Sequence, residues 1–71
     1  MGLLPSLKSP QVIAALLNAG FRIIRQSGSH VRLQHPVDAT RQTTVPQHSA
    51  PLPVWLMRAI LRQCGRRKSQ L

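Results

Sequence analysis

Two short runs of alternating residues, joined by a glycine turn, constrain the fold of this chain more than any other feature. The runs cover residues 21–26 and 29–35, and Ser27-Gly28 lies between them. Glycine accepts the positive φ that tight turns require, so this spacing predicts a β-hairpin with its turn at Ser27-Gly28. The hairpin would hold the imidazole of His30 beside the turn, on an arginine-rich surface.

The second run alternates cleanly between its two faces. Val31 and Leu33 occupy one face, and His30, Arg32 and Gln34 occupy the other. Because the apolar pair belongs on a face covered by helices, we expect His30 and Arg32 to point toward solvent.

The first run is less regular, and a third strand follows the hairpin. Phe21 and Ile23 share one face with Arg25, but the opposite face also carries an isoleucine, so the pattern leaves the inward face open. Residues 42–45 predict a short third strand that ends at Pro46.

Two amphipathic helices flank the predicted strands. Ser9 as the N-cap and Pro10 at the first helical position start the first helix, and Gly20 ends it. Its apolar stripe consists of Val12, Ile13, Leu16 and Leu17. The second helix runs from Pro53 to about Cys64. Its apolar stripe consists of Leu56, Met57, Ile60, Leu61 and Cys64.

The order of these elements predicts an α+β fold of the α-β-β-β-α type. Two helices pack on one face of a three-stranded antiparallel sheet, and the other face stays open to solvent. We expect a single domain over residues 1–71, with a loose N-terminal lead-in at 1–8 and a mobile basic tail at 66–71.

The charge balance defines the partners and the chemistry. Ten Lys and Arg residues stand against one acid, Asp38, for a formal net charge of +9, which attracts polyanions such as RNA. A single acid excludes catalysis by paired carboxylates and argues against a carboxylate Mg²⁺ site. Cys64 is alone and the histidines lack zinc-ligand spacing, so we expect no disulfide, metal or cofactor.

Any catalysis in such a chain depends on histidine, arginine and hydroxyl groups. RNA carries its own nucleophile, the 2′-OH, so His30 as general acid or base could cleave it without metal while arginines hold the phosphate. An unremarkable surface histidine is the alternative for His30. Gly28 serves the turn geometry. The candidate RNA-binding residues are Arg25, Ser29, Arg32, His48, Arg58 and Arg62.

Two further residues have alternative interpretations. Trp55, in the first turn of the second helix, is expected to pack under a loop, with base stacking as the alternative. His48 lies in a proline-punctuated loop, where it could contact RNA or act as a second proton-transfer group. The apolar start of the chain is too short for a signal peptide or a membrane span, which favours a soluble, cytoplasmic protein.

Several motifs together resemble the HicA toxin family of bacterial mRNA interferases. The resemblance begins at Ser9 and covers nearly the whole chain. It is carried by Ala-Gly-Phe at 19–21, Arg-Gln-Ser-Gly-Ser-His at 25–30, Val-Pro-x-His at 45–48 and Leu-Arg-Gln-Cys-Gly at 61–65. The Gly-Ser-His element is the most specific. The chain departs from the family where Trp55-Leu56 replaces the usual Gly-Thr pair.

The resemblance implies an α-β-β-β-α fold like that of double-stranded-RNA-binding domains, and it implies a function as well. It implies the toxin of a bacterial type II toxin–antitoxin system, which cleaves mRNA independently of the ribosome and is covered by a HicB-like antitoxin. The family's catalytic histidine maps onto His30.

Two other functions compete with this one. A non-catalytic module of the same fold could bind double-stranded RNA by shape through phosphate and 2′-OH contacts. A recognition helix for DNA is disfavoured because strands separate the two helices, so we expect no sequence-specific DNA binding by the chain alone. The short apolar start of the chain gives no reason to expect a membrane partner.

Overall fold

The computed structural model describes residues 7–65 and has the predicted order of elements. The helices are α1 (Ser9–Asn18) and α2 (Val54–Cys64), and the strands are β1 (Arg22–Ser27), β2 (His30–Gln34) and β3 (Gln42–Pro46). The predicted α+β class is therefore confirmed. Most of the predicted lead-in, at residues 1–6, and the predicted basic tail, at 66–71, lie outside the described residues.

The three strands form one antiparallel sheet in the order β1-β2-β3, with both helices on one face. α1 packs against β1 and β3, and α2 packs against β3. The apolar residues of β2 point into this layer, as predicted. The core consists of Val12, Leu16, Phe21, Val31, Leu33, Val45, Leu52, Met57, Ile60 and Cys64. Within residues 7–65, no helix covers the sheet face that carries His30.

The hairpin turn lies one residue later than predicted. Ser27 pairs with His30, so Gly28 and Ser29 form a two-residue turn. Gly28 has φ +58°, whereas Ser29 has a negative φ. Glycine with positive φ at the first central position is the pattern of a type II′ turn, whose twist matches that of the flanking strands.

A β-bulge in β1 explains why its sequence does not alternate. The register with β2 shifts between Ile23, opposite Leu33, and Arg25, opposite Arg32, so Ile24 is the extra residue. A bulge places two residues opposite one and reverses the alternation beyond it. Arg25 consequently leaves the face of Ile23 and joins the open face. Every residue of β1 is exposed.

The ends of α1 depend on two residues with special roles. α1 begins at Ser9, and Lys8 is its N-cap residue, so the predicted Ser9 cap is wrong. At the other end Gly20 has φ +99° and its N–H donates to the Leu17 carbonyl at 3.0 Å. The Phe21 N–H donates to the Leu16 carbonyl at 2.9 Å, which completes a Schellman motif and turns the chain into β1.

The Ser9 side chain joins α1 to the end of β3 instead of capping the helix. Ser9 is fully buried, its hydroxyl donates to the Pro46 carbonyl at 2.6 Å, and its oxygen accepts from the His48 N–H at 3.0 Å. The Ser9 hydroxyl does not cap α1 because it hydrogen-bonds instead to the Pro46 carbonyl and the His48 N–H, which have no strand partner within residues 7–65.

Replacing Ser9 with alanine should therefore destabilise the fold by about 1–3 kcal/mol, because it leaves buried polar groups unsatisfied. Urea denaturation of the purified chain measures the change. The exposed Ser49 provides the matched control, since Ser49→Ala should change stability by less than about 0.5 kcal/mol. Equal stabilities for the two variants would contradict the bridging role.

Polar contacts fix α2 against the sheet. The Thr43 hydroxyl, buried in the core, donates to Gln63 Oε1 at 2.6 Å. Arg41 Nε donates to the Cys64 carbonyl at 2.5 Å, at the negative end of the α2 dipole, and its guanidinium lies 5.5 Å from the Phe21 ring. Burial raises the pKa of the Cys64 thiol, in keeping with its predicted core position.

Three apolar residues of the helices are more exposed than their patterns predict. Leu17 is 45% exposed and Leu61 is 52% exposed, so each stripe is narrower than expected. Trp55 is 69% exposed, which contradicts the expectation that it packs under a loop. Within residues 7–65, neither helix has the length and apolarity of a membrane-spanning segment.

Leu7 is already fixed to the body of the domain, although it falls in the stretch expected to be a loose lead-in. Its carbonyl accepts from the Leu52 N–H at 2.8 Å, and its own N–H points to the Met57 sulfur at 3.5 Å. This backbone contact closes the layer between α1 and the segment that leads into α2.

Candidate nuclease site

The open face of the sheet brings His30 and two arginines together. His30 is exposed and begins β2, directly after the hairpin turn. Arg32 lies two residues along the same strand, about 7 Å away. Arg25 is the diagonal neighbour of His30 on β1, because His30 pairs with Ser27; such neighbours are about 7–8 Å apart.

Arg25 and Arg32 oppose each other directly across β1 and β2. Two like charges in this position repel each other, so the pair costs stability unless an anion lies between them. Asp38 is the only acidic side chain of the whole sequence and does not lie on these strands. The strands that carry this pair therefore supply no side-chain carboxylate to neutralise it.

Side chains of β3 hold Arg32 in place. Its Nη1 donates to Thr44 Oγ1 at 3.2 Å and its Nη2 donates to Gln42 Oε1 at 2.8 Å, which draws the guanidinium toward β3. Arg25 makes none of the side-chain hydrogen bonds found among residues 7–65. Arg25 is thus the cation next to His30 whose guanidinium has all its donors available.

Gln42 and Thr44 also belong to this site, although neither was predicted from the sequence. Their signal is the alternation of β3, in which these polar residues share the face opposite Thr43 and Val45. That alternation became informative only once β3 was paired with Arg32 on β2.

Ser29 and His48 lie at the hairpin end of the same sheet. Ser29 is the second turn residue, and its carbonyl accepts from the Gln47 N–H at 2.6 Å, so pairing continues past the end of β3. The His48 N–H is bound to Ser9, and the residue is exposed. Ser29 and His48 therefore border the position of His30.

The other titratable groups near the sheet serve the loop between β2 and β3. Asp38 accepts from the Thr40 hydroxyl at 2.6 Å and from the Thr40 N–H at 3.1 Å, and the hydroxyl hydrogen bond in particular lowers the Asp38 pKa. His35 Nδ1 accepts from the Val37 N–H at 3.2 Å, and its ring packs edge-on against Phe21. Neither residue orients His30, so the site contains no Ser-His-Asp arrangement.

Arg58 and Arg62 are not part of the open face. Both are exposed on α2, which packs on the covered face of the sheet. Their positions, three and seven residues after Trp55, place the three side chains on one side of the helix. This side is opposite the buried Met57 and Ile60, so the arginines form a second cationic surface behind the sheet.

The described residues contain no cluster of side chains that could bind a metal ion. Among residues 7–65, no three His, Cys, Asp or Glu side chains come close enough to share an ion. The functional groups on the open face are therefore an imidazole, guanidinium groups, hydroxyl groups and amide groups.

One comparison with known proteins assigns the chain to a family. The family model described as HicA toxin of bacterial toxin-antitoxin matches residues 9–65, from the first residue of α1 to the glycine after α2. The chain belongs to the HicA toxin family. The HicA match spans all five elements and the whole open face, and it confirms the resemblance carried by the Gly-Ser-His motif. Neither a curated protein nor a solved structure matches the chain significantly.

Proposed function

We propose that this HicA-family chain is a metal-independent endoribonuclease that cleaves mRNA on the open face of its sheet, independently of the ribosome. The observation that carries the proposal is the exposed His30, placed beside the opposed pair Arg25 and Arg32 on a face without an acid. A nucleic acid supplies the anion that this arginine pair lacks, and the imidazole supplies the proton transfer.

In the proposed reaction His30 acts as general base on the ribose. It removes the proton of the 2′-OH, whose oxygen then attacks the adjacent phosphorus. Arg25, with its free donors, holds the scissile phosphate and stabilises the charge that develops on its oxygens. Arg32, fixed by β3, binds the neighbouring phosphate. Ser29 contacts RNA at the turn. The bond from phosphorus to the 5′-oxygen breaks and the leaving oxygen takes up a proton, so the products are a 2′,3′-cyclic phosphate and a 5′-hydroxyl.

The second cationic surface, formed by Arg58 and Arg62, has a separate role in this proposal. It lies behind the sheet and cannot take part in chemistry at His30. We assign it to salt-sensitive contacts with more distant phosphates of the RNA.

Membership in a toxin–antitoxin family also implies a protein partner. We propose that a HicB-like antitoxin covers the open face in the resting state. The opposed arginines favour a partner that places carboxylates there, because the chain itself has only Asp38 to offer. Covering this face would exclude RNA and silence the toxin without any change of fold.

Labelled single-stranded RNA, incubated with the chain in the presence of EDTA, tests the proposed reaction. We expect shorter fragments that end in a 2′,3′-cyclic phosphate, whereas DNA of the same sequence stays intact because it lacks the 2′-OH. The same samples on a native gel at several salt concentrations report binding. RNA that is shifted but not shortened would support the non-catalytic binding module instead, and DNA cleavage at a comparable rate would contradict the 2′-OH mechanism.

A further inference from the structure

Backbone pairing with the hairpin continues one residue beyond β3, at Gln47. Along an antiparallel strand, every second residue exchanges backbone hydrogen bonds with its partner strand. Gln47 is such a residue, since its N–H donates to the Ser29 carbonyl at 2.6 Å. The backbone groups of Pro46 and His48 then point to the free edge of the sheet. Both meet the Ser9 hydroxyl there, which bridges the Pro46 carbonyl and the His48 N–H.

This extended backbone determines which face His48 occupies. Residues two apart in an extended strand share a face, so His48 lies on the face of Pro46. Pro46 pairs directly with His30, so a backbone that stays extended through Gln47 brings His48 to the open face as the diagonal neighbour of His30. Diagonal neighbours of this kind are about 7–8 Å apart, the separation expected between His30 and Arg25 on the other side.

His30 thus has a cation on one flank and a second imidazole on the other. Both histidines are exposed, and neither side chain takes part in the hydrogen bonds found among residues 7–65. Among residues 7–65, the backbone N–H of His48 is held by the buried hydroxyl of Ser9, which lies 39 residues away on α1. This anchor fixes the backbone position from which the His48 side chain projects.

We infer that His48 is a second catalytic residue, the general acid that protonates the leaving group in the RNA cleavage proposed above. The inference rests on that proposed function. His30 takes the proton of the 2′-OH, the 2′-oxygen forms a bond to phosphorus, and the bond from phosphorus to the 5′-oxygen breaks. The 5′-oxygen leaves with the proton of His48. One proton is taken and one is given, so the two histidines exchange roles if water later opens the cyclic phosphate.

A substrate with a better leaving group tests this assignment. In an oligoribonucleotide whose bridging 5′-oxygen at the cleavage site is replaced by sulfur, the thiolate leaves without protonation. On the ordinary RNA, His48→Ala should lower kcat by about 10²–10⁴-fold, the usual contribution of a positioned proton donor. On the sulfur substrate this variant should cleave at close to the wild-type rate. His30→Ala should be slow on both substrates, because the base is still needed.

Controls separate chemistry from folding and binding. The Ser9 bridge uses the backbone of His48, so His48→Ala should keep the thermal midpoint of the wild type. Gln47→Ala, a change at the neighbouring exposed residue, should leave both rates unchanged. An equal loss on both substrates, or no loss on either, would overturn the role of His48. If the wild-type chain leaves RNA intact, the proposed function itself fails, which is a distinguishable result.

Discussion

Replacing His30 with alanine is expected to lower the rate of RNA cleavage by about 10²–10⁴-fold, because the variant lacks the group that accepts the 2′-OH proton. The fold should survive, since the imidazole is exposed on the open face and packs against no core residue. Cleavage of a labelled RNA under single-turnover conditions gives the rate, and a native gel gives the affinity.

The comparison variant for this experiment is Gln34→Ala. Gln34 lies on the same strand and the same face as His30 but carries no titratable group, so its loss should change the rate less than about threefold. RNA affinity should stay nearly constant in His30→Ala, because Arg25 and Arg32 supply the phosphate contacts. Cleavage that persists in His30→Ala would remove this residue from the mechanism.

Replacing Leu33 with alanine is expected to be the most destabilising change in the core. Leu33 is fully buried on β2, the middle strand of the sheet, and truncation of such a residue costs about 2–5 kcal/mol. A chain of this length has a total stability of about 4–10 kcal/mol, so the loss is a large fraction of the whole. Urea denaturation followed by circular dichroism measures the change.

The same substitution at Leu61 provides the control for the Leu33 variant. Leu61 is 52% exposed on α2, so its truncation removes little buried surface and should cost less than about 1 kcal/mol. Similar losses for the two variants would mean that the sheet does not form the centre of the core.

Much of the fold is predictable because its patterns are local. The strict alternation of β2 separates Val31 and Leu33 from His30 and Arg32, and the structure has the same separation. Glycines mark the turn at Gly28 and the end of α1 at Gly20, since both require a positive φ that other residues avoid. These features depend on the backbone preferences of single residues and on the alternation of side chains along a strand. Both can be predicted from residues that are adjacent in the sequence.

The candidate site was only partly predictable for a different reason. The sequence pattern puts Arg25 on the face of Phe21 and Ile23, whereas the bulge at Ile24 transfers it to the open face beside His30. A bulge is a property of two paired strands, so the sequence of one strand does not reveal it. Trp55 was expected to pack under a loop, but it is 69% exposed, and whether a loop covers a side chain depends on the tertiary structure.

What the sequence by itself determined is the order of the elements, the open face with its histidine and the excess of positive charge that calls for a polyanion. Only the tertiary structure decided that Arg25 opposes Arg32 and that Ser9 anchors the His48 backbone instead of capping α1. The first arrangement depends on how the two paired strands of the hairpin accommodate the bulge, and the second on a contact between segments 39 residues apart. The residue pattern of one segment alone does not predict such contacts.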